Sequence, residues 1–534
     1  MNKVNAQWNN MVLPTPDGVT SLGVNAIEAS ENVIVLPSGN VTITDCAEKL
    51  FGLIASSQTM FLRGDALVEL RLEDQGRMSL AVLKATAFRS RIEKYGSVMA
   101  WRKGANNELV LKPVQCSEDT AKALMASEAA QRMIPRISLI VDCPIMVEAN
   151  GGVMVLRQGF HPAHSGILVT RDAVVPEIDP NLAAQHLRCL VEEFDFQSPG
   201  DRARAVAAII TPGLKMGGLI KERVPLIILE ADRSQAGKTY FQKIVAALYG
   251  EIPTTIAERN GGVGSVDESF AQALAKGRPF ILLDNFRGKL DSKYIESFMT
   301  ATECFGARVP YSPEVSINPD RVIVMMTSNG VETTSDLANR SCIIRIRKQD
   351  GFQYRKYPEG GLLEHIKANN GYFLGCVFSI VRAWHQNRIR RTNVANHDFR
   401  EWAQVLDWIA QACGLGPLLV DHRQSQERVS NPALAFVRSL AIAVKAQGGL
   451  GREYSASDLG ALCGDADLEI PGVKNSDNQA RAQRIGSLMK SAFKSQEYLQ
   501  IDSFIVTVAH SSRVRSDGGG TYPAKMYRFS DSTA

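Results

Sequence analysis

The sequence predicts an α/β chain built on a parallel sheet, and three observations carry that prediction. Residues 224–229 form an apolar run that leads into the loop Ala231-Asp232-Arg233-Ser234-Gln235-Ala236-Gly237-Lys238-Thr239. Beyond the loop, Phe241, Ile244, Val245, Leu248 and Tyr249 recur at three- and four-residue spacing until Gly250, the stripe and stop of an amphipathic helix. Three further apolar runs follow at 280–283, 322–326 and 342–346; the first two end in polar residues, Asp284-Asn285 and Thr327-Ser328-Asn329, and the third follows Asn339-Arg340. Runs this apolar, without alternation, are what strands covered on both faces require.

The loop between the first strand and its helix sits where helix N–H groups are unpaired and the helix dipole is positive, so it attracts phosphate. Gly237 lets the backbone approach a ligand, Lys238 reaches β- and γ-phosphates, and the Thr239 hydroxyl suits a magnesium ion. Gln235 and Ala236 complete the candidate nucleotide-binding set. Asp232 stands where the usual motif has glycine, so the turn entering the loop departs from the pattern.

In this order the residues resemble the AAA+ ATPases, and within them the superfamily 3 helicases of phages, plasmids and integrated elements. The resemblance implies a core that uses ATP and Mg2+. Lys238 and Thr239 would be the Walker A pair, and Asp284 the Walker B aspartate that shares magnesium with Thr239. Asn329 would be the sensor orienting the attacking water. Arg340 would be an arginine finger offered to a neighbouring subunit, a task that suits a permanently charged, forked donor. Asn285 stands where many AAA+ proteins carry the water-activating glutamate, and an amide orients water without taking its proton. Glu268, just upstream of the second strand, is the candidate substitute.

Residues 307–317 read as two extended pieces around a proline-rich tip. In superfamily 3 helicases a hairpin at this place grips single-stranded DNA, with Arg308 suited to phosphate and Tyr311 to base stacking.

At 534 residues the chain exceeds a single core. We divide it into an N-terminal α/β accessory region (1–180), a helical collar or connector (181–221), the ATPase core (222–350), a helical region (351–425) and a winged-helix-like DNA-binding region (426–534). In the first, residues 33–36, 42–44 and 60–65 read as strands and turns, and residues 144–160 as a hairpin across Asn150-Gly151-Gly152. A segment resembling Arg63-Gly64-Asp65 precedes the ATPase in phage-type primase-helicases, yet no acidic primase triad is evident. The connector reads as a helix over 182–196 and a second, with Val206, Ile209 and Ile210, that stops near Pro212-Gly213.

Net charge is only +4, from 60 basic against 56 acidic residues, so it argues for no partner by itself. Between Lys474 and Arg528, however, nine basic residues face four acidic ones, an excess of +5. Arg481, Arg484 and Lys490 on a basic helix, with Arg513 and Arg515 flanking a Gly518-Gly519-Gly520 wing, suit groove and phosphate contacts. The basic cluster at 388–391 reads as a solvated loop, and the tryptophans at 402 and 408 as core. The nine cysteines lack any Cys-x-x-Cys pair, which points to reduced thiols, and His161 and His164 have no companion ligands close by. The polar N-terminus and the lack of an eighteen-residue apolar run lead us to expect a cytoplasmic protein without membrane contact.

The function expected from the resemblance is an ATP-dependent helicase or translocase, a hexameric ring acting on single-stranded and forked DNA in replication of a mobile element. A separate primase is the further partner such a chain would call for. The alternative from the same core is a defence or signalling ATPase that assembles with an effector instead of unwinding DNA.

Overall fold

The computed structural model describes residues 32–531 except 74–75, 105–106, 232–234, 258–263, 303, 309–314, 350, 352–354, 467, 469, 474–477, 494–495, 502–503 and 515–520. Its centre is a six-stranded sheet of β1 (Asp195–Phe196), β2 (Leu226–Ala231), β3 (Thr254–Ala257), β4 (Phe280–Leu290), β5 (Ile323–Thr333) and β6 (Ser341–Arg347). Across the sheet the order is β1, β6, β2, β5, β4, β3. All neighbours are parallel except β1, which pairs antiparallel with the end of β6. Every residue of β2 is buried, as a strand covered by helices on both faces must be. Its two neighbours, β5 and β6, lie on opposite sides and follow later in the chain, which makes the carboxyl end of β2 the switch point where crevices form in parallel sheets.

Six helices matter to the site: α1 (Pro199–Lys215), α2 (Lys238–Leu248), α3 (Val266–Ala275), α4 (Ser335–Asn339), α5 (Arg400–Ala412) and α6 (His422–Ser430). The α1 start follows the expected chemistry: Ser198 caps it by accepting from Asp201 N–H, with proline at the first position. Its end does not. The helix runs through Pro212 to Lys215, and the Tyr249 hydroxyl explains why. It accepts from Gly213 N–H at 2.9 Å and donates to Ile209 C=O at 2.7 Å, so it bridges the two groups that the proline separates.

Three other expectations are corrected. The predicted helix over 182–196 ends earlier, spanning Pro180–Cys189, and Asp195–Phe196 is the edge strand β1. Thr42 is no strand residue but the cap of the helix Ile43–Ser57, exchanging hydrogen bonds with Asp45 in a capping box. The strands carrying Asp284 and Asn329 do not stop there: β4 and β5 stay paired as far as Leu290 and Thr333.

Hydrophobic packing gathers the chain into one large cluster around the sheet, which draws in Ala66 and residues from Leu139 to Val429, and separate clusters at 34–134 and 433–529. The first of these separate clusters surrounds the helix Ile43–Ser57. Residues 145–156 form the expected hairpin, with Asn150 and Gly151 both at positive φ as a tight two-residue turn requires. In the C-terminal cluster three helices, Pro432–Ala446, Ala456–Asp465 and Asn478–Phe493, pack on an antiparallel sheet whose long hairpin pairs Phe504–Val514 with Thr521–Asp531. Among the described residues no helix is long and apolar enough to cross a membrane.

Candidate functional site

The carboxyl edge of the sheet assembles the site. Gly237 adopts φ +88° as the residue before α2, a left-handed conformation that glycine takes without strain, and a side chain there would press on the Phe194 ring. Gln235 shares the left-handed region at φ +64°. Lys238 opens α2 and is buried, as is Ala236. Asp232, Arg233 and Ser234 lie outside the described residues.

Thr239 reaches across to β4, its hydroxyl 2.8 Å from Asp284 Oδ1. The same carboxylate oxygen accepts from Thr327 Oγ1 at 2.7 Å, and that hydroxyl accepts from Asn285 N–H at 2.8 Å. The backbone makes this possible. Pairing runs from Leu283 opposite Met326 to Phe286 opposite Ser328, so Asp284 and Asn285 together face Thr327 in a β-bulge, with Asn285 at φ +57°. The bulge turns the carboxylate toward α2 and leaves Asn285 exposed. A hydroxyl and a carboxylate held together beside a helix N-terminus are hard oxygen donors beside a phosphate cradle, which fits Mg2+ and a nucleoside triphosphate. Thr239 and Asp284 would hold the ion, which supplies charge neutralisation at the phosphates.

Asn329 falls in β5 two residues beyond Thr327, on the strand inserted between β2 and β4. Glu268 lies in the first turn of α3, which the β3-to-β4 crossover starts from the carboxyl edge. Ser265 caps that turn, and Gln272 Nε2 donates to Glu268 Oε1 at 3.4 Å. No described hydrogen bond joins Glu268 to Thr239, Asp284 or Thr327, so the structure does not bring it into that cluster. Its neighbour Asp267 accepts from Ser292 Oγ at 2.6 Å.

Arg340 sits at the opposite edge. It follows α4 and precedes β6, and its carbonyl accepts from Leu226 N–H at 3.1 Å, at the start of β2. The six residues of β2 then separate it from the loop before α2, about 20 Å at strand spacing. This arginine therefore cannot serve its own chain's loop. Its guanidinium is held by Asp336 at 3.4 Å and Asp398 at 3.8 Å in a cleft of about 860 Å3.

One residue of that cleft escaped the sequence reading. Arg223 is 5 % exposed, stacks over Phe298 at 4.4 Å, and has a terminal nitrogen with no hydrogen-bond partner among the described residues. Burial lowers its pKa to about 10. The turn that carries it is fixed from both sides: buried Lys215 donates to the carbonyls of Ile220, Lys221 and Glu222 and to Asp320, while Glu401 accepts from the amides of Lys221 and Glu222. Its only sequence signal is a basic residue just before an apolar run.

The candidate DNA contacts divide. Phe305–Ala307 pairs antiparallel with Val315–Ile317, so the expected hairpin is present at its base, and Arg308 is exposed beside it. Tyr311 and Arg515 lie outside the described residues, and Arg513 is placed on a hairpin strand opposite Tyr522. On Asn478–Phe493, Lys490 is exposed, whereas Arg484 donates to Pro471 C=O at 2.7 Å and Arg481 lies half-buried near Gly464. The loop at 388–391 is exposed, and Trp402 is buried. No group of three or more His, Cys, Asp or Glu suited to a metal occurs among the described residues.

No family model matches the chain. No curated protein matches it either. Among solved structures the chain is similar to one titled "SCCmec type IV Cch - active helicase", at 12 % identity over 88 % of this chain and 91 % of that one, with a TM-score of 0.31. That neighbour is a helicase by its title.

Proposed function

We propose that the chain is an ATP hydrolase that moves along or unwinds DNA as a ring, in replication of a mobile element. The observation that carries the reading is the separation of Lys238, Thr239 and Asp284 at one edge of the sheet from Arg340 at the other. An arginine finger so placed completes a nucleotide site only across an interface between copies, and repeating that head-to-tail contact closes a ring. Arg223, which is buried, adds a second cation to the same face. In this reading Arg308 and the hairpin face the strand, Asn329 orients the attacking water, and the basic C-terminal region with Lys490 contacts duplex DNA as a winged helix.

The test is hydrolysis of ATP and unwinding of a forked DNA by the wild type, Lys238→Ala, Arg340→Ala and an equimolar mixture of the two variants. Each variant alone should be inactive, and the mixture should recover activity at those interfaces where an intact loop meets an intact Arg340. A mixture as inactive as its components would refute shared sites. Hydrolysis indifferent to DNA would favour an ATPase that assembles with an effector.

A further inference from the structure

The turn Arg63-Gly64-Asp65 joins two strands of the N-terminal region, Met60–Arg63 and Ala66–Leu72, and it ends against the hairpin of the ATPase core. Gly64 has φ +60°, and a Cβ built on it would stand 2.0 Å from Ser316 O and 2.8 Å from Ser316 C. Backbone therefore meets backbone here, an approach no other residue permits. The flanking Arg63 is 3 % exposed and spends its guanidinium on two carbonyls, Ser138 O at 2.7 Å and Leu274 O at 3.0 Å. Leu274 belongs to the last turn of α3. Gly64 O in turn accepts from Arg136 at 3.0 Å.

The other side of the hairpin rests on α3 through aromatic rings. Phe270 of α3 meets Phe298 edge-on at 5.1 Å, Phe298 meets Phe305 at 5.3 Å, and the Tyr294 hydroxyl donates to Gly306 C=O at 2.9 Å. The hairpin base is thus held between the N-terminal turn and a helix whose first turn lies toward the nucleotide edge.

We propose that the N-terminal region is a brace for the hairpin: the contact of Gly64 with Ser316, tied by Arg63 to α3, fixes the hairpin so that DNA bound there acts on the nucleotide site. Gly64 and Arg63 are positioning residues, remote from the reacting atoms. This inference rests on the reading of the hairpin as the DNA grip.

The test compares full-length wild type, Gly64→Ala and Gly76→Ala. Gly76 has nearly the same backbone, φ +69°, with nothing within 4 Å of a built Cβ, so it carries the conformational cost without the contact. The brace itself is read by the alkylation rate of Cys304, an exposed thiol 2.5 Å from Ser316 Oγ, located by peptide mapping. In Gly64→Ala that rate should change at least threefold and in Gly76→Ala remain that of the wild type; an unchanged rate in Gly64→Ala overturns the brace. Its consequence is read by hydrolysis: Gly64→Ala should keep basal ATP turnover and lose most of the stimulation by single-stranded DNA. Full stimulation despite altered Cys304 reactivity, or equal loss of basal and stimulated rates, overturns the coupling. A wild type that DNA does not stimulate refutes the DNA grip instead, and the Cys304 comparison still decides whether the turn holds the hairpin.

Discussion

Thr239 Oγ1 lies 2.8 Å from Asp284 Oδ1, and the oxygen that receives it is also held by Thr327 at 2.7 Å. Two hydroxyls thus fix one carboxylate oxygen, and the second of them also accepts the bulged Asn285 amide. Thr327 is 1 % exposed, so neither bond can be replaced by water without rearrangement.

Replacing Thr327 with valine keeps its shape and removes both bonds. With Asp284 less well oriented, Thr327→Val should need more Mg2+ for half-maximal ATP hydrolysis and lose about tenfold in kcat, on the order of 1.4 kcal/mol. Thr327→Ser should restore much of the loss. Magnesium titrations that superimpose for wild type and Thr327→Val would remove Thr327 from the site.

Asp284 was legible because a carboxylate ending a wholly apolar run has few structural uses, and the loop before Thr239 because a strand and a helix flank it. Thr327 was not, because a threonine after an apolar run looks like any strand end until β5 is inserted between β2 and β4. The stop read at Pro212 failed for a similar reason: the hydroxyl that lets α1 continue comes from Tyr249, at the far end of α2. Thr42 read as strand because β-branched residues favour strands, yet its neighbour Asp45 makes it a cap. The position of Arg340 ahead of a strand was visible in the sequence, but that this end lies opposite the loop before α2 follows from the parallel pairing of β6 with β2.

The Tyr249 bridge leads to a stability prediction. Tyr249 is fully buried, and Tyr249→Phe leaves Gly213 N–H and Ile209 C=O without partners beside Pro212. The cost should be about 1–3 kcal/mol, seen as a melting temperature a few degrees lower. A variant as stable as the wild type would mean that the two groups find each other without the hydroxyl.

A second such prediction concerns the seam between the N-terminal region and the core. Arg278, just before β4, pairs with Asp142 at 2.8 Å and Glu251 at 2.5 Å, and Arg77 from the N-terminal region reaches Glu251 at 2.6 Å and Asp142 at 3.4 Å. All four are nearly excluded from water; burial pushes the Glu251 carboxyl up, as does neighbouring Asp142, against the pull of the two arginines. Removing Arg278 leaves two carboxylates to one cation. Arg278→Met should therefore cost about 3–5 kcal/mol in urea unfolding, more than loss of any surface pair. A change under 1 kcal/mol would show that Arg77 alone balances both acids.

Acid sensitivity follows from two histidines packed behind β6. His397 accepts from Phe399 N–H through Nδ1, which leaves Nε2 to donate to Ser341 C=O at 3.2 Å; His422 accepts from Ile343 N–H at 3.2 Å. Their rings stack at 5.6 Å. Burial lowers the His397 pKa to about 4, opposed by the Ser341 carbonyl and Asp398, and burial with Arg204 and His397 nearby takes His422 well below its usual value. Each folded-state pKa lies below that of the unfolded chain, near 6.5, so the unfolded state binds protons first. Stability is then full above about pH 6.5 and falls toward pH 4, where folded His397 is itself half protonated and the loss levels off. The His397 share of that loss is roughly 3 kcal/mol across the whole interval. His397→Asn keeps an acceptor for Phe399 and does not titrate, so its urea midpoint should fall less steeply than that of the wild type between pH 7 and 4.5. Parallel slopes for the two proteins would place the acid sensitivity in other groups.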